Sequence, residues 1–293
     1  RIAVEGCCHG ELDKIYAHIT TQPYEKWPEL LIICGDFQSI RNEQDLDSIA
    51  VPDKFKRIGD FKDYYEGLKK APILTIFIGG NHEASAYLQE LPNGGWVAEN
   101  IYYMGYSNVI WFKGLRIGGI SGIYKFFDFY KNHYEQAPFD DKSKRSVYHV
   151  RFEDFLKLSL VRDLNLNCIL SHDWPEGIVK YGNMKYLLQK KPFFKKDIEN
   201  NCLGSVPAKL LLQRLMPHYW FSAHLHVRFQ AFVKHAPIKR KLRFSQTNFL
   251  ALDKCLPKRQ FIETIEIPIT NEDHESHDSK ELYYDLEYLK ITK

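Results

Sequence analysis

At 293 residues and 44% hydrophobic, the chain can bury a substantial core as one large domain or a domain with an appendage. Its 40 basic and 37 acidic residues leave a formal charge of +3, too balanced to announce nucleic-acid binding by charge alone. No run of about 18 apolar residues occurs, no signal peptide is visible, and the six cysteines lack framework spacing, so reduced thiols in an intracellular protein are expected.

In chain order, Ile2-Ala3-Val4 predicts a short strand running into Glu5-Gly6-Cys7-Cys8-His9-Gly10. Leu12, Ile15, Tyr16 and Ile19 follow at helical spacing. A second apolar strand at 30–34 ends in Gly35-Asp36-Phe37-Gln38, and a third at 73–78 ends in Gly79-Gly80-Asn81-His82-Glu83, with a helix from Ala84. Strand, glycine-bearing turn, then helix or loop, three times over, is an α/β pattern. Residues 101–103, 109–112 and 115–120 read as neighbouring strands with hairpin-like links, which makes the sheet mixed.

The stretch 121–146 fits neither period and mixes Tyr124, Phe126, Phe127, Phe129, Tyr130, His133 and Tyr134 with Lys125, Lys131, Lys142, Lys144 and Arg145. A long excursion of this kind inside a compact domain is more often functional than idle. Residues 148–164 have helical spacing; a fourth strand at 168–170 ends in Ser171-His172-Asp173-Trp174-Pro175. The segment 206–215 reads as helix, and a fifth strand at 219–221 ends in Ser222-Ala223-His224-Leu225-His226. Further strands are expected at 227–233, 242–246 and 261–267, a polar acidic loop at 271–280, and a closing helix over 281–291 through Leu282, Leu286 and Leu289.

The polar residues at these strand ends are Cys7, His9, Asp36, Asn81, His82, His172, His224 and His226. Each has a bland reading: an incidental Cys-x-His, a turn aspartate, a helix cap at Ser171, or two ordinary histidines on one strand face. Recurrence at five successive strand ends is not what those readings predict. Imidazole, carboxylate, amide and thiolate together suit first-row divalent cations. The donors outnumber the needs of one tetrahedral ion. Two ions about 3.5–4 Å apart would use them, with Asp36, the one carboxylate, as bridge.

The order Cys7-x-His9, Gly35-Asp36, Gly80-Asn81-His82-Glu83, His172 and His224-x-His226 resembles the calcineurin-like metallophosphoesterase superfamily. That resemblance implies an α/β fold: two mixed β-sheets packed as a sandwich and flanked by helices. It also implies one ion on Cys7, His9 and His226, a second on Asn81, His172 and His224, and Asp36 between them. His82 would approach the scissile phosphate without binding metal. Most of the superfamily has Asp where this chain has Cys7; a thiolate favours Zn²⁺ or Fe²⁺ over Mg²⁺ or Ca²⁺, with Mn²⁺ as a weaker occupant.

Within the superfamily the chain resembles the lariat debranching enzyme family. The match rests on Gly6-Cys7-Cys8-His9-Gly10, Gly35-Asp36-Phe37-Gln38, the run from Phe77 to Ser85, Gly118-Gly119-Ile120-Ser121-Gly122-Ile123, Ser171-His172-Asp173-Trp174-Pro175 and Ala251-Leu252-Asp253-Lys254-Cys255-Leu256-Pro257. The first-motif cysteine is typical of this family. The resemblance implies hydrolysis of the 2′-5′ phosphodiester at the branch point of intron lariat RNA, in mRNA processing. Hydroxide held by the ions would attack phosphorus, with His82 assisting the leaving 2′-oxygen. It further implies branched RNA as partner, one or two ions of Fe²⁺, Zn²⁺ or Mn²⁺, and a nuclear location, with the cytoplasm as a second. No obligate protein partner is evident.

The expected organisation is a phosphoesterase domain over 1–250, a lariat-recognition loop inserted at about 122–148, and a small appendage at 251–293 packed on that domain. In the loop, Tyr124, Lys125, His133 and Tyr134 are expected to meet RNA, while Phe126, Phe127 and Phe129 are expected to anchor it. Two rivals are another nuclease or phosphatase of the superfamily and an inert RNA-binding module on the same scaffold. Phe37-Gln38-Ser39-Ile40 after Asp36 disfavours a protein phosphatase, which carries Asp-Arg-Gly there.

Overall fold

A computed structural model describes residues 1–236 and 244–293. Two mixed sheets lie face to face. The first has six strands among the described residues, in the order β12-β1-β2-β3-β5-β4. These are β1 (Ile2–Glu5), β2 (Leu30–Ile33), β3 (Leu74–Phe77), β4 (Gly95–Ala98), β5 (Ile101–Tyr103) and β12 (Ile262–Ile265). The second has seven, in the order β10-β11-β9-β8-β7-β6-β13. Its members are β6 (Ser107–Phe112), β7 (Leu115–Ile120), β8 (Cys168–Ser171), β9 (Tyr219–Ser222), β10 (Phe229–Lys234), β11 (Gln246–Ala251) and β13 (Tyr283–Tyr284).

Each sheet has a parallel centre, β1-β2-β3-β5 in one and β7-β8-β9-β11 in the other, with antiparallel strands at its edges. Parallel centres buried on both faces explain the unbroken apolar runs such as Leu30-Leu31-Ile32-Ile33, all buried. Ile32, Ile76, Ile117, Leu170, Phe221 and Leu250 fill the space between the sheets. The outer face of the six-stranded sheet packs on α1 (Leu12–Thr20) through Leu12, Ile15, Tyr16 and Ile19. The outer face of the other packs on α2 (Phe152–Ser159) and α3 (Val206–Leu215), with Trp174 and Trp220 wholly buried there.

Several sequence expectations need correction. Residues 101–103 do not neighbour 109–112: β5 ends in one sheet and β6 begins in the other, four residues on. Gly105, at φ +79°, supplies the left-handed turn at which the chain changes sheet. The strand β4 was not foreseen. Of the helix expected over 148–164, only Phe152–Ser159 forms, because 148–150 runs beside Ile123, whose carbonyl accepts from the Val150 N–H. Two residues of the strand expected at 242–246 lie outside the described residues, and the whole short basic run Lys239-Arg240-Lys241 does; β11 starts at Gln246.

The C-terminal residues reach both sheets. β12 adds to the edge of β1, and β13 to the edge of β6. The closing helix is shorter than expected: Tyr283–Tyr284 is strand and only α4 (Leu286–Ile291) is helical. Its phase also differs. Leu286 and Leu289 are exposed, and Tyr288 is the buried residue, its hydroxyl 2.7 Å from Ser107 Oγ. Asp285 sets that phase by capping the helix and accepting from the buried Arg116 guanidinium.

Candidate metal centre

β1, β2 and β3 of one sheet and β8 and β9 of the other end on the same rim of the sandwich. Cys7 and His9 follow β1, Asp36 follows β2, Asn81 and His82 follow β3, His172 follows β8, and His224 and His226 follow β9. Open α/β sheets carry their chemistry at the carboxyl ends of their strands, because side chains there project from a fixed frame.

The turns themselves are unusual. His9, Asp36, His224 and His226 all have left-handed backbones, at φ 50°, 48°, 60° and 49°. Non-glycine residues held this way cost about 1–3 kcal/mol each and gather at functional sites. The bland reading of His224 and His226 as two histidines on one strand face therefore does not hold. They sit in a turn beyond β9, and the reversed backbone curls both rings toward the rim instead of letting them run on along the strand. Two glycines permit the crowding. A Cβ at Gly35 would stand 2.3 Å from His172 Nδ1, and one at Gly80 would stand 2.3 Å from Asp36 Oδ1.

The Asp36 carboxylate, 1% exposed, lies between two groups of donors. Oδ2 is 3.7 Å from His9 Nε2, and Oδ1 is 3.4 Å from His172 Nε2. On the first side, His9 Nε2 is 3.3 Å from His226 Nε2. Donor atoms of Cys7, His9, Asp36 and His226 all lie within 4.8 Å of one another. On the second side, His172 Nε2 is 3.2 Å from Asn81 Oδ1, and the His224 ring centre is 5.0 Å from that of His172. His172 Nδ1 donates to the Cys34 carbonyl at 2.8 Å, which turns Nε2 into the rim. The Cys7 sulfur accepts the His224 N–H at 3.2 Å.

His82 stands beside both groups. Its N–H donates to Asp36 Oδ1 at 2.8 Å, its Nδ1 is 3.2 Å from the Ala50 carbonyl, and its Nε2 is 3.0 Å from Asn81 Nδ2. Glu83, buried beneath, accepts the N–H groups of Phe37, Gln38 and Gly80 at 2.8, 2.8 and 2.9 Å. It ties the Asp36 turn to the Asn81 turn. Burial, then the nearby Asp36 charge, pushes its carboxyl up to about 7 against those three N–H bonds.

The chemistry of these donors fits a divalent cation. Asp36 Oδ2 is buried with no hydrogen-bond partner, an acceptor whose cost a bound cation would offset. Burial alone would raise the Asp36 carboxyl, yet His172, then His9 and His82, hold it well below the usual range, so it is ionised. Burial, then His172, depresses His224 to about 3; burial, then His9, depresses His226 to about 3. Neutral imidazoles are the form a metal ligand needs. Burial would lower His172, but Asp36 and the Cys34 carbonyl raise it; a proton there meets the same demand for positive charge that a cation would. Burial, then Asp36 and Glu5, drives the Cys7 thiol well above its ordinary value, so its thiolate depends on the cation it binds.

The residues expected to meet RNA divide in two. Lys125 and Tyr134 are exposed. Tyr124 is half-buried against Phe129, and His133 is stacked on Tyr106 at 3.9 Å and bonded to Asp154 at 2.8 Å. Of the expected anchors only Phe129 is buried; Phe126 and Phe127 are 67% and 79% exposed. The loop's origin is tied to the rim, since Gly122 N–H donates to the Gly79 carbonyl at 2.8 Å and Gly79 N–H to Ser121 Oγ at 2.9 Å. Reading the sequence assigned no role to Phe55, Arg57 or Lys254, which border the rim beside His9 and His82. Only Lys254 carried a signal, its place in Ala251-Leu252-Asp253-Lys254-Cys255.

Comparison with known proteins agrees with this architecture. Residues 1–228 match the calcineurin-like phosphoesterase family, a class that implies divalent metal ions. Residues 244–293 match the C-terminal domain of lariat debranching enzymes. The chain is 52% identical to lariat debranching enzyme A of Xenopus laevis and 50% identical to the Homo sapiens enzyme, in each case over 100% of its own length. It spans about half the length of these relatives, 54% and 53%. Against the Arabidopsis thaliana enzyme it is 49% identical and covers 68% of the relative. The chain belongs to the lariat debranching enzyme family of calcineurin-like phosphoesterases. Among the described residues no helix is long and apolar enough to cross a membrane.

Proposed function

We propose that this chain is a metal-dependent phosphodiesterase that hydrolyses the 2′-5′ phosphodiester at the branch point of lariat RNA. The observation that carries the reading is Asp36, a buried carboxylate with one oxygen toward His9 and the other toward His172. Cys7, His9 and His226 would hold one ion, and Asn81, His172 and His224 a second, with Asp36 common to both. Ions so placed supply a hydroxide at neutral pH and offset negative charge on the phosphoryl oxygens.

The chain's own residues do the rest. The Ala50 carbonyl, 3.2 Å from Nδ1, accepts a hydrogen bond from the N–H there, which leaves His82 Nε2 as the atom that exchanges a proton. As the oxygen of water joins phosphorus, the bond from phosphorus to the branch 2′-oxygen breaks. His82 in its cationic form, with a second proton at Nε2, gives that proton to the oxygen and is left neutral. The products are a 5′-phosphate end and a free 2′-hydroxyl. Glu83 keeps the turns of Asp36 and Asn81 in register throughout.

The Cys7 sulfur supports Zn²⁺ or Fe²⁺ at its ion, with Mn²⁺ as the alternative. Anaerobic metal analysis, repeated on Cys7→Asp, tests this: the variant should shift toward Mn²⁺ and Mg²⁺, and an unchanged metal profile opposes a soft first site. For the activity, branched RNA, linear RNA and linear DNA are compared with and without chelator. Branched RNA alone should be opened, and chelation should stop it. Equal cleavage of linear RNA, or full activity in chelator, overturns the proposal.

A further inference from the structure

Beside the metal centre, on the flank lined by His9, His82 and His226, opens a cleft of about 430 Å³. That is the size of a small-molecule site. Two of its walls are apolar and uncovered: Phe55 is 61% exposed and Leu256 39% exposed. Exposed aromatic and aliphatic groups facing one cleft beside a polar centre call for a flat apolar partner.

The remaining walls are cationic. Arg57 lies against the His9 carbonyl at 3.4 Å and pairs with Glu11, yet its side chain is 54% exposed. Glu11 is the carboxylate on this side, and Lys14 pairs with it as well, so it does not oppose an incoming anion. Lys254 is held next to Cys7 by a backbone bridge. Its ammonium has no carboxylate partner among the described residues. The neighbouring Asp253 is paired with Arg259 at 3.2 Å instead. An unpaired cation this close to a phosphoester centre is otherwise uncompensated.

We propose that this cleft seats one nucleotide on an RNA arm leaving the branch, its base against Phe55 and Leu256 and its phosphate on Lys254 and Arg57. This rests on the phosphodiesterase reading above, and it adds where one of the three arms runs. The cleft and the loop at 122–148 are lined by different residues, so a branch point held at the rim has a separate seat on each. Base stacking on an aromatic ring is tolerant of sequence, which suits an intron end of varied composition.

The test uses the whole chain, Phe55→Ala, Lys254→Ala and their conservative partners Phe55→Tyr and Lys254→Arg. Substrates are a branched RNA and three versions of it, each with one arm cut back to the branch. Phe55→Ala should lower kcat/KM about 5- to 100-fold, mostly through KM, and Phe55→Tyr should restore it. The penalty should vanish with one truncated substrate and persist with the other two. Binding of a linear single-stranded RNA to chelated protein gives a second readout. There Lys254→Ala should reduce the slope of log Kd against log salt by about 0.7, and Lys254→Arg should not.

A penalty equal across all three truncations, or an unchanged salt slope, overturns the subsite. A parent chain that opens no branched RNA overturns the phosphodiesterase reading instead, and the salt slope then decides the cleft by itself.

Discussion

Asp285→Ala should cost about 3–5 kcal/mol, far more than most single substitutions in a chain of this size. The carboxylate is 3% exposed and accepts four donors: Arg116 Nε at 2.8 Å, Arg116 Nη2 at 2.9 Å, Trp111 Nε1 at 2.7 Å and the Tyr288 N–H at 2.8 Å. Breaking a buried ion pair from one side leaves an uncompensated charge, worth about 3–5 kcal/mol, and loss of the helix cap adds about 1 kcal/mol. Glu287, at 3.0 Å from Arg116, and the Asp163 carbonyl at 2.9 Å keep part of the guanidinium satisfied and hold the total within that range.

Urea titration followed by circular dichroism measures the loss, and hydrogen exchange locates it. Protection should fall first in Tyr283–Tyr284 and Leu286–Ile291, the strand and helix that flank this carboxylate. Replacing both partners, Arg116→Met with Asp285→Leu, should recover much of the loss because no charge is then stranded. A loss below about 1 kcal/mol for the single variant refutes the reasoning, as does a double variant no more stable than the single one.

His82→Ala should lower kcat by about 10²–10⁴ with bound metal unchanged by elemental analysis; parallel loss of metal would make His82 a ligand instead. Gly80→Ala places a Cβ 2.3 Å from Asp36 Oδ1 and 2.8 Å from His172 Cε1, so metal content and activity should both collapse while far-ultraviolet dichroism persists. Normal metal content in that variant contradicts the crowding. His218, stacked on Phe244 at 4.5 Å, is depressed below its ordinary 6.5 by burial. A group lowered on folding stabilises fully above its unfolded value and loses that contribution as pH falls through the folded one. Stability should therefore decline below about pH 6.5, and His218→Phe should flatten that decline in urea titrations at successive pH values. An identical pH profile for the variant removes His218 from the account.

Much of the centre was legible in the order of residues. Strands buried on both faces must be apolar throughout, so runs such as 30–34 and 168–170 stand out, and whatever polar residue follows must sit at the rim. That argument located Cys7, His9, Asp36, Asn81, His82, His172, His224 and His226 before any contact was known. The loop at 122–148 was marked by composition alone, and composition could not tell a ring that anchors from one that faces water. Phe129 and the exposed Phe126 and Phe127 are chemically alike; only packing separates them.

Sequence by itself determined which residues end strands and that their chemistry suits a cation, because burial and periodicity act locally along the chain. Tertiary structure decided how those ends meet. It set the left-handed turns at His9, Asp36, His224 and His226, the change of sheet after Tyr103, and the face that α4 turns inward through Asp285. Each of these depends on partners far away in the chain, and no local preference of a histidine or an aspartate selects such a backbone until those partners hold it there.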